Sequence, residues 1–163
     1  MNEKELIKFV KPLYKTKDSM HNFNHILRIK RKVANLQKDY SDINEKRLKM
    51  LIYFHGLKKW IKENKKKFLN LGFNKKDILL IHRHTKNPKT IEEKLVNDAN
   101  LLEAVGRFGI KKALIVGKER GRNRAETIDY IRKNINKVRF YTKRGKKSGY
   151  IGVKITKDFL KKQ

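Results

Sequence analysis

The 163-residue sequence has no cysteine. That excludes a disulfide framework, a thiolate nucleophile and any zinc site built on cysteine. Long apolar runs are also missing. The longest, such as Met50–Phe54 and Ile78–Ile81, are far too short to span a bilayer. The opening MNEKELIKF carries early acids and no apolar h-region, so no secretory signal is expected and a soluble, cytoplasmic protein is. Proline occurs twice, at Pro12 and Pro88, and no repeat, low-complexity block or domain boundary stands out. Residues 1–163 therefore read as a single domain, long enough for a proper core. Acidic residues are scarce: 16 Asp+Glu against 44 Lys+Arg give a formal charge of +28. Such a charge sets up a field that favours phosphate-bearing partners, whether nucleotides, RNA or DNA. Lysines spread through every segment equally fit a compositional bias on solvated faces. No zinc-finger, RRM or KH spacing is present.

What is there reads as helix after helix. Glu3 to Tyr14 is amphipathic, with Leu6, Phe9, Val10 and Leu13 on one side. Asp18 or Ser19 caps a second helix to about Lys38, which places His21 and His25 on one face, four residues apart. A third runs from Glu45 to His55, ended or kinked by Gly56. Lys58 to Leu71 has helical period, and Asn74 caps another helix that ends near His84 before the loop at Pro88. Further helices are expected near Lys111–Val116 and over Arg124–Asn134, separated by the loop Gly117–Asn123. The tail is ambiguous. Val138–Tyr141 and Tyr150–Ile155 carry strand-like residues around a turn-like Lys143–Ser148, yet Ile151, Ile155 and Phe159 also suit a helix. The fold class is all-α.

Residues 81–110 concentrate the chemistry. Thr90 reads as an N-cap, and Glu92 and Glu93 complement the positive end of the helix dipole. From Leu95 the apolar positions Leu95, Val96, Ala99, Leu102 and Val105 recur at helical spacing, with Asp98 and Asn100 among them. A burying helix that spends a carboxylate and an amide there either satisfies them internally or uses them. The five histidines, His21, His25, His55, His82 and His84, sit on or at the ends of helices. Converging on one cavity, they make a metal-ligand type of pattern.

The motifs resemble those of small single-domain proteins of the HD superfamily of metal-dependent phosphohydrolases. Asp18-Ser-Met-His21-Asn-Phe-Asn-His25-Ile-Leu-Arg28 is similar to the opening D-x-x-H-x-x-x-H-x-x-R of that family. Tyr53-Phe54-His55-Gly56 resembles its apolar-apolar-His-Asp doublet, and Ile81-His82-Arg83-His84 its I-x-x-H segment. Pro88-Lys-Thr90-Ile-Glu92-Glu93-Lys94 and Asp98-Ala99-Asn100-Leu-Leu-Glu103-Ala-Val-Gly106 resemble P-x-T-x-E-x-K and D-A-D-x-L-D-A-x-G. The match runs from Asp18 to the C-terminus.

The resemblance implies an all-α bundle holding a divalent metal (Zn, Mn, Fe or Mg) through a histidine, the His-Asp doublet and a last aspartate. His25 and His55 take the histidine positions. Gly56 and Asn100 replace the two aspartates, so both anionic ligands are gone. Much of a divalent cation's affinity comes from such oxygens, so the site is expected to be weak. His84, or His82, would complete a three-histidine zinc set with His25 and His55. Asp98 lies about 200° round the helix from Asn100 and reaches the site only if the helix is distorted. The candidate catalytic residues are accordingly His25, His55 and Asp98, and the metal candidates His25, His55, His84 and Asn100. His21, Arg28, Lys89 and Lys94 are candidates for holding a phosphate-bearing substrate or nucleotide. Two functions remain open: a metal phosphohydrolase, or a non-catalytic nucleotide- or RNA-binding module.

Overall fold

The structure, a computed structural model, describes residues 2–163. It is all-helical: α1 Glu3–Val10, α2 Phe23–Leu36, α3 Glu45–Phe54, α4 Lys58–Glu63, α5 Lys65–Asn70, α6 Lys75–Arg83, α7 Ile91–Leu101, α8 Gly106–Glu119, α9 Arg124–Ile135 and α10 Lys143–Lys161. Short side chains set the starts. Asn2, Asn74, Thr90 and Asn123 form capping boxes with Glu5, Asp77, Glu93 and Glu126, satisfying first-turn N–H groups that have no helical partner.

Two layers meet at α7. On one side α2, α3 and α7 pack together around Ile26, Ile29, Leu51, Phe54, Leu95 and Ala99, with α1 and α4–α6 closing the outside. On the other, α8, α9 and α10 pack on one another and α10 rests on α7. Gly106 takes φ +72, a conformation open to glycine, as the chain turns into α8.

Four expectations change. The second helix is capped by Asn22, not by Asp18 or Ser19, because the Asn22 carboxamide accepts from the Asn24 N–H. His21 therefore precedes α2 in a bend, and Asp18 instead receives the backbone N–H groups of Met20 and His21. The run Lys58–Leu71 is two helices broken at Asn64, whose side chain bonds the Trp60 carbonyl as α4 ends. The segment expected near Lys111–Val116 extends over Gly106–Glu119. No strand forms among the described residues, and Lys143–Lys161 is one helix.

Tertiary contacts overrule the β-branched residues of α10. Gly145, Gly149 and Gly152 lie on its inward side, where a Cβ would run into Asp98, Phe140 and Val105 respectively. Thr156 on the same side donates to the Gly152 carbonyl and receives the Gly106 N–H at 2.8 Å. Tyr150 and Ile151 are left outside, 74% and 54% exposed, while Phe159 and Leu160 are half-buried.

Candidate functional site

Three histidines are held alike. Burial lowers the pKa of each, so the rings are neutral near pH 7. His84 Nδ1 lies 2.7 Å from the Ile81 carbonyl, which only accepts, so Nδ1 carries the proton and His84 Nε2 carries a lone pair. That lone pair accepts from His55 Nδ1 at 2.8 Å, leaving His55 Nε2 unprotonated. His25 Nδ1 donates to Glu103 at 2.8 Å, and its Nε2 is buried without a partner. His21 Nδ1 donates to Asp18 at 2.7 Å. The rings of His21 and His25 are 5.5 Å apart, those of His25 and His55 5.6 Å. All three border one cavity of about 200 Å³ with Lys17, Asp18, Gly56 and Arg120.

A larger cleft of about 290 Å³ adjoins it, sharing His21 and Arg120, with Asn100 and Glu103 on one wall and α8 and α9 on the other. Its cations are Lys112, Arg120 and Arg122, and its single carboxylate is Glu103. Glu103 is fully buried and already committed: His25, Arg28 Nε at 2.8 Å and Lys112 at 3.7 Å surround it. Burial pushes this carboxyl up, but the bonds from His25 and Arg28 win and hold it at about 2. Arg122 lies over the Tyr130 ring at 4.5 Å, and its Nε is buried and unpartnered. Two orphaned polar atoms, one acceptor and one donor, thus border these adjoining cavities.

The structure brings His21, His25, His55 and Asn100 together. His84 stands behind His55 with both nitrogens engaged, so it orients His55 and has no lone pair left for a metal. Asp98 is on the far side of α7. It accepts from the Tyr141 N–H at 3.0 Å and from the Thr142 N–H and hydroxyl at 2.7 Å, tying the start of α10 to α7. Burial raises its pKa and these donors pull it back. The helix is undistorted there, so the 200° offset from Asn100 holds. Arg28 is spent on Glu103 and lies over Phe108 at 5.3 Å. Lys89 and Lys94 line neither cavity. Glu103, Lys112, Arg120 and Arg122 were not among the residues the sequence singles out. Glu103 alone had a signal, since it closes the D-A-N-x-x-E run.

This is the fold of the HD-superfamily hydrolases. An HD-superfamily hydrolase from Bacillus thuringiensis superposes with a TM-score of 0.69 at 20% identity, over 98% of this chain and 93% of that one. A Listeria innocua protein of 24% identity gives 0.70, covering 99% and 94%. YpgQ from Bacillus subtilis, in a structure solved with ADP, gives 0.70 at 17% identity, covering 99% and 95%. No protein-family model and no curated protein matches the chain.

The divalent metal implied by that fold does not fit the residues present. Where the doublet aspartate would stand, a Cβ on Gly56 would lie 3.0 Å from the Tyr14 ring. Tyr14 is locked there, donating to the Tyr53 carbonyl at 2.9 Å and receiving the Gly56 N–H at 3.2 Å. Asn100 is neutral. Among the described residues no three His, Asp or Glu side chains close around a common point. The surroundings are cationic, which suits an anion instead.

Proposed function

We propose that this chain binds a phosphate-bearing small molecule, a nucleotide, in the basic cleft, and that recognition rather than metal-driven hydrolysis is its output. One observation carries the reading: three cations line a cleft whose only carboxylate is already bonded by His25 and paired with Arg28 and Lys112, while Arg120 also pairs with Asp18 at 3.0 Å and Arg122 has no carboxylate partner. Arg120 and Arg122 supply forked donors for phosphate oxygens. Unprotonated His25 Nε2 receives a phosphate hydroxyl proton. The Arg122–Tyr130 stack offers a flat face to a base. ADP in the YpgQ structure supports nucleotides as the ligand class. A histidine acting as general base contributes only about 10²–10⁴-fold. That falls far short of the barrier to phosphate-ester hydrolysis, for which enzymes supply accelerations up to about 10²¹.

Calorimetric titration with ADP, adenosine and inorganic phosphate, in EDTA and then with Mn²⁺, tests this. ADP should bind in EDTA and adenosine far more weakly. Arg120→Ala and Arg122→Ala should each weaken ADP by about tenfold, the loss of one charge-assisted hydrogen bond. Binding that requires Mn²⁺, with ADP consumed, overturns the reading. Zinc kept through dialysis and lost in His21→Ala would replace it with a three-histidine hydrolase, the cavity that His21, His25 and His55 border together being the observation behind that second reading.

A further inference from the structure

We propose that the outward face of α10 is a docking surface for a single strand of nucleic acid. The face is separate from the cleft, and its occupant does not depend on what the cleft holds. α10 is built inside out relative to an ordinary surface helix. The fully buried positions of its core side are Gly145, Gly149 and Thr156, so close backbone approach seats much of it, with Phe159 and Leu160 half-buried near its end. Its outward side carries Lys143, Lys147, Tyr150, Lys154 and Lys161, all exposed. On a helical wheel these five fall within about 60° of one another, in one straight stripe. Lys143 and Lys147 are separated by about 6 Å along the axis, and Lys154 and Lys161 follow at intervals of about 10 Å, so a row of cations runs the length of the helix. In the middle stands Tyr150, 74% exposed, with Ile151 beside it.

Charge complementarity fixes the class of partner. A lysine row demands a polyanion, and a free aromatic face inside it stacks a base, as in sequence-tolerant single-strand binders. An anionic bilayer would need the middle of the outward face to be apolar with lysines at its flanks. Here the centre line of the face is lysine on both sides of Tyr150, the exposed Ile151 and Ile155 lie to one flank only, and the acidic Asp158 pairs with Lys161. A base stacked on Tyr150 has neighbouring phosphates within reach of Lys147 and Lys154.

Fluorescence anisotropy with a labelled oligothymidylate of about twenty nucleotides, from about 50 to 200 mM salt, is the measurement. Lys147→Glu with Lys154→Glu is compared with Lys62→Glu with Lys66→Glu, four exposed lysines in two pairs, so both variants change the formal charge equally. The α10 pair should lose at least about tenfold in affinity, and its log–log salt slope should fall by about 1.4, or 0.7 per phosphate contact. The control pair should lose less than about threefold, the share of the long-range field alone. Tyr150→Ala should weaken binding by about tenfold while Tyr150→Phe keeps it, because stacking needs the ring and not the hydroxyl. Equal losses in the two pairs, or no binding at the lowest salt, overturn the proposal. So does sedimentation with phosphatidylserine vesicles, or a dimer that Tyr150→Ala dissolves, in a protein that ignores the oligonucleotide. Thermal unfolding of each variant verifies that it is folded.

Discussion

Acidification strains the histidine chain His84–His55–His25–His21 before it touches any carboxylate. Burial, followed by the nearby Lys58 ammonium, lowers His84 from its ordinary 6.5 to about 4. The unfolded chain therefore takes up the proton first. The stability held by neutral His84 is intact above pH 6.5 and is lost as pH falls towards 4. From about pH 7.5 to about pH 5 this single group costs about 2 kcal/mol. In a chain of this length about 1 kcal/mol moves the melting temperature by about 2–4 °C, so His84 alone lowers it by about 4–8 °C. His21, His25 and His55 are shifted the same way and add to the loss. Glu103, held at about 2 against an ordinary 4.5, begins to lose its contribution as pH falls into the ordinary carboxylate range, so it adds only a small share at the acid end of this window and most of its loss below it. Thermal unfolding followed by circular dichroism across the range is the assay. His84→Gln, which can still accept from His55 Nδ1, should be shallower by up to one proton, about 1.4 kcal/mol per pH unit. A melting temperature flat between these pH values refutes the argument that these rings are neutral and inaccessible to protons.

Other outcomes follow from the packing. Gly56→Asp should cost about 1–3 kcal/mol by overpacking against Tyr14, read as a fall in melting temperature. Paired with Asn100→Asp it should take up metal, by elemental analysis after dialysis, only when Tyr14→Leu makes room; uptake by either single carboxylate variant would contradict this. Glu103→Gln leaves Arg28 and Lys112 facing an uncharged partner and should cost about 3 kcal/mol in urea unfolding. Gly149→Val should push α10 off Phe140, so that limited proteolysis trims residues 143–161 while the α1–α7 core stays resistant.

The all-α class was legible because α1, α2 and α6 carry strong one-sided apolar stripes and α7 opens on an ordinary cap, Thr90 with Glu93. The rings of His25 and His55, on helices whose order the motifs follow, lie 5.6 Å apart. The tail was not legible, since Ile151, Val153 and Ile155 favour strand locally and only the glycine seam against α7, α8 and Phe140 makes them helical. Asp98 and His84 look like site residues in sequence. Their roles as an anchor for α10 and a brace for His55 depend on partners 43 and 29 residues away. Lys112, Arg120 and Arg122 were hidden by the charge itself, for among 44 cations nothing local distinguishes the three that line a cleft.

The tyrosine against Gly56 gives the site a direction in time. A carboxylate at position 56 must displace a ring that is buried and hydrogen-bonded at both sides of its hydroxyl. A chain that changes position 56 first passes through a less stable protein with an incomplete ligand set. One that changes Tyr14 first loses a core aromatic and has nothing yet to put in its place. Either order descends before it climbs, so single substitutions ratchet this fold away from a carboxylate at position 56 and leave the glycine–tyrosine pair as the local resting place for further change.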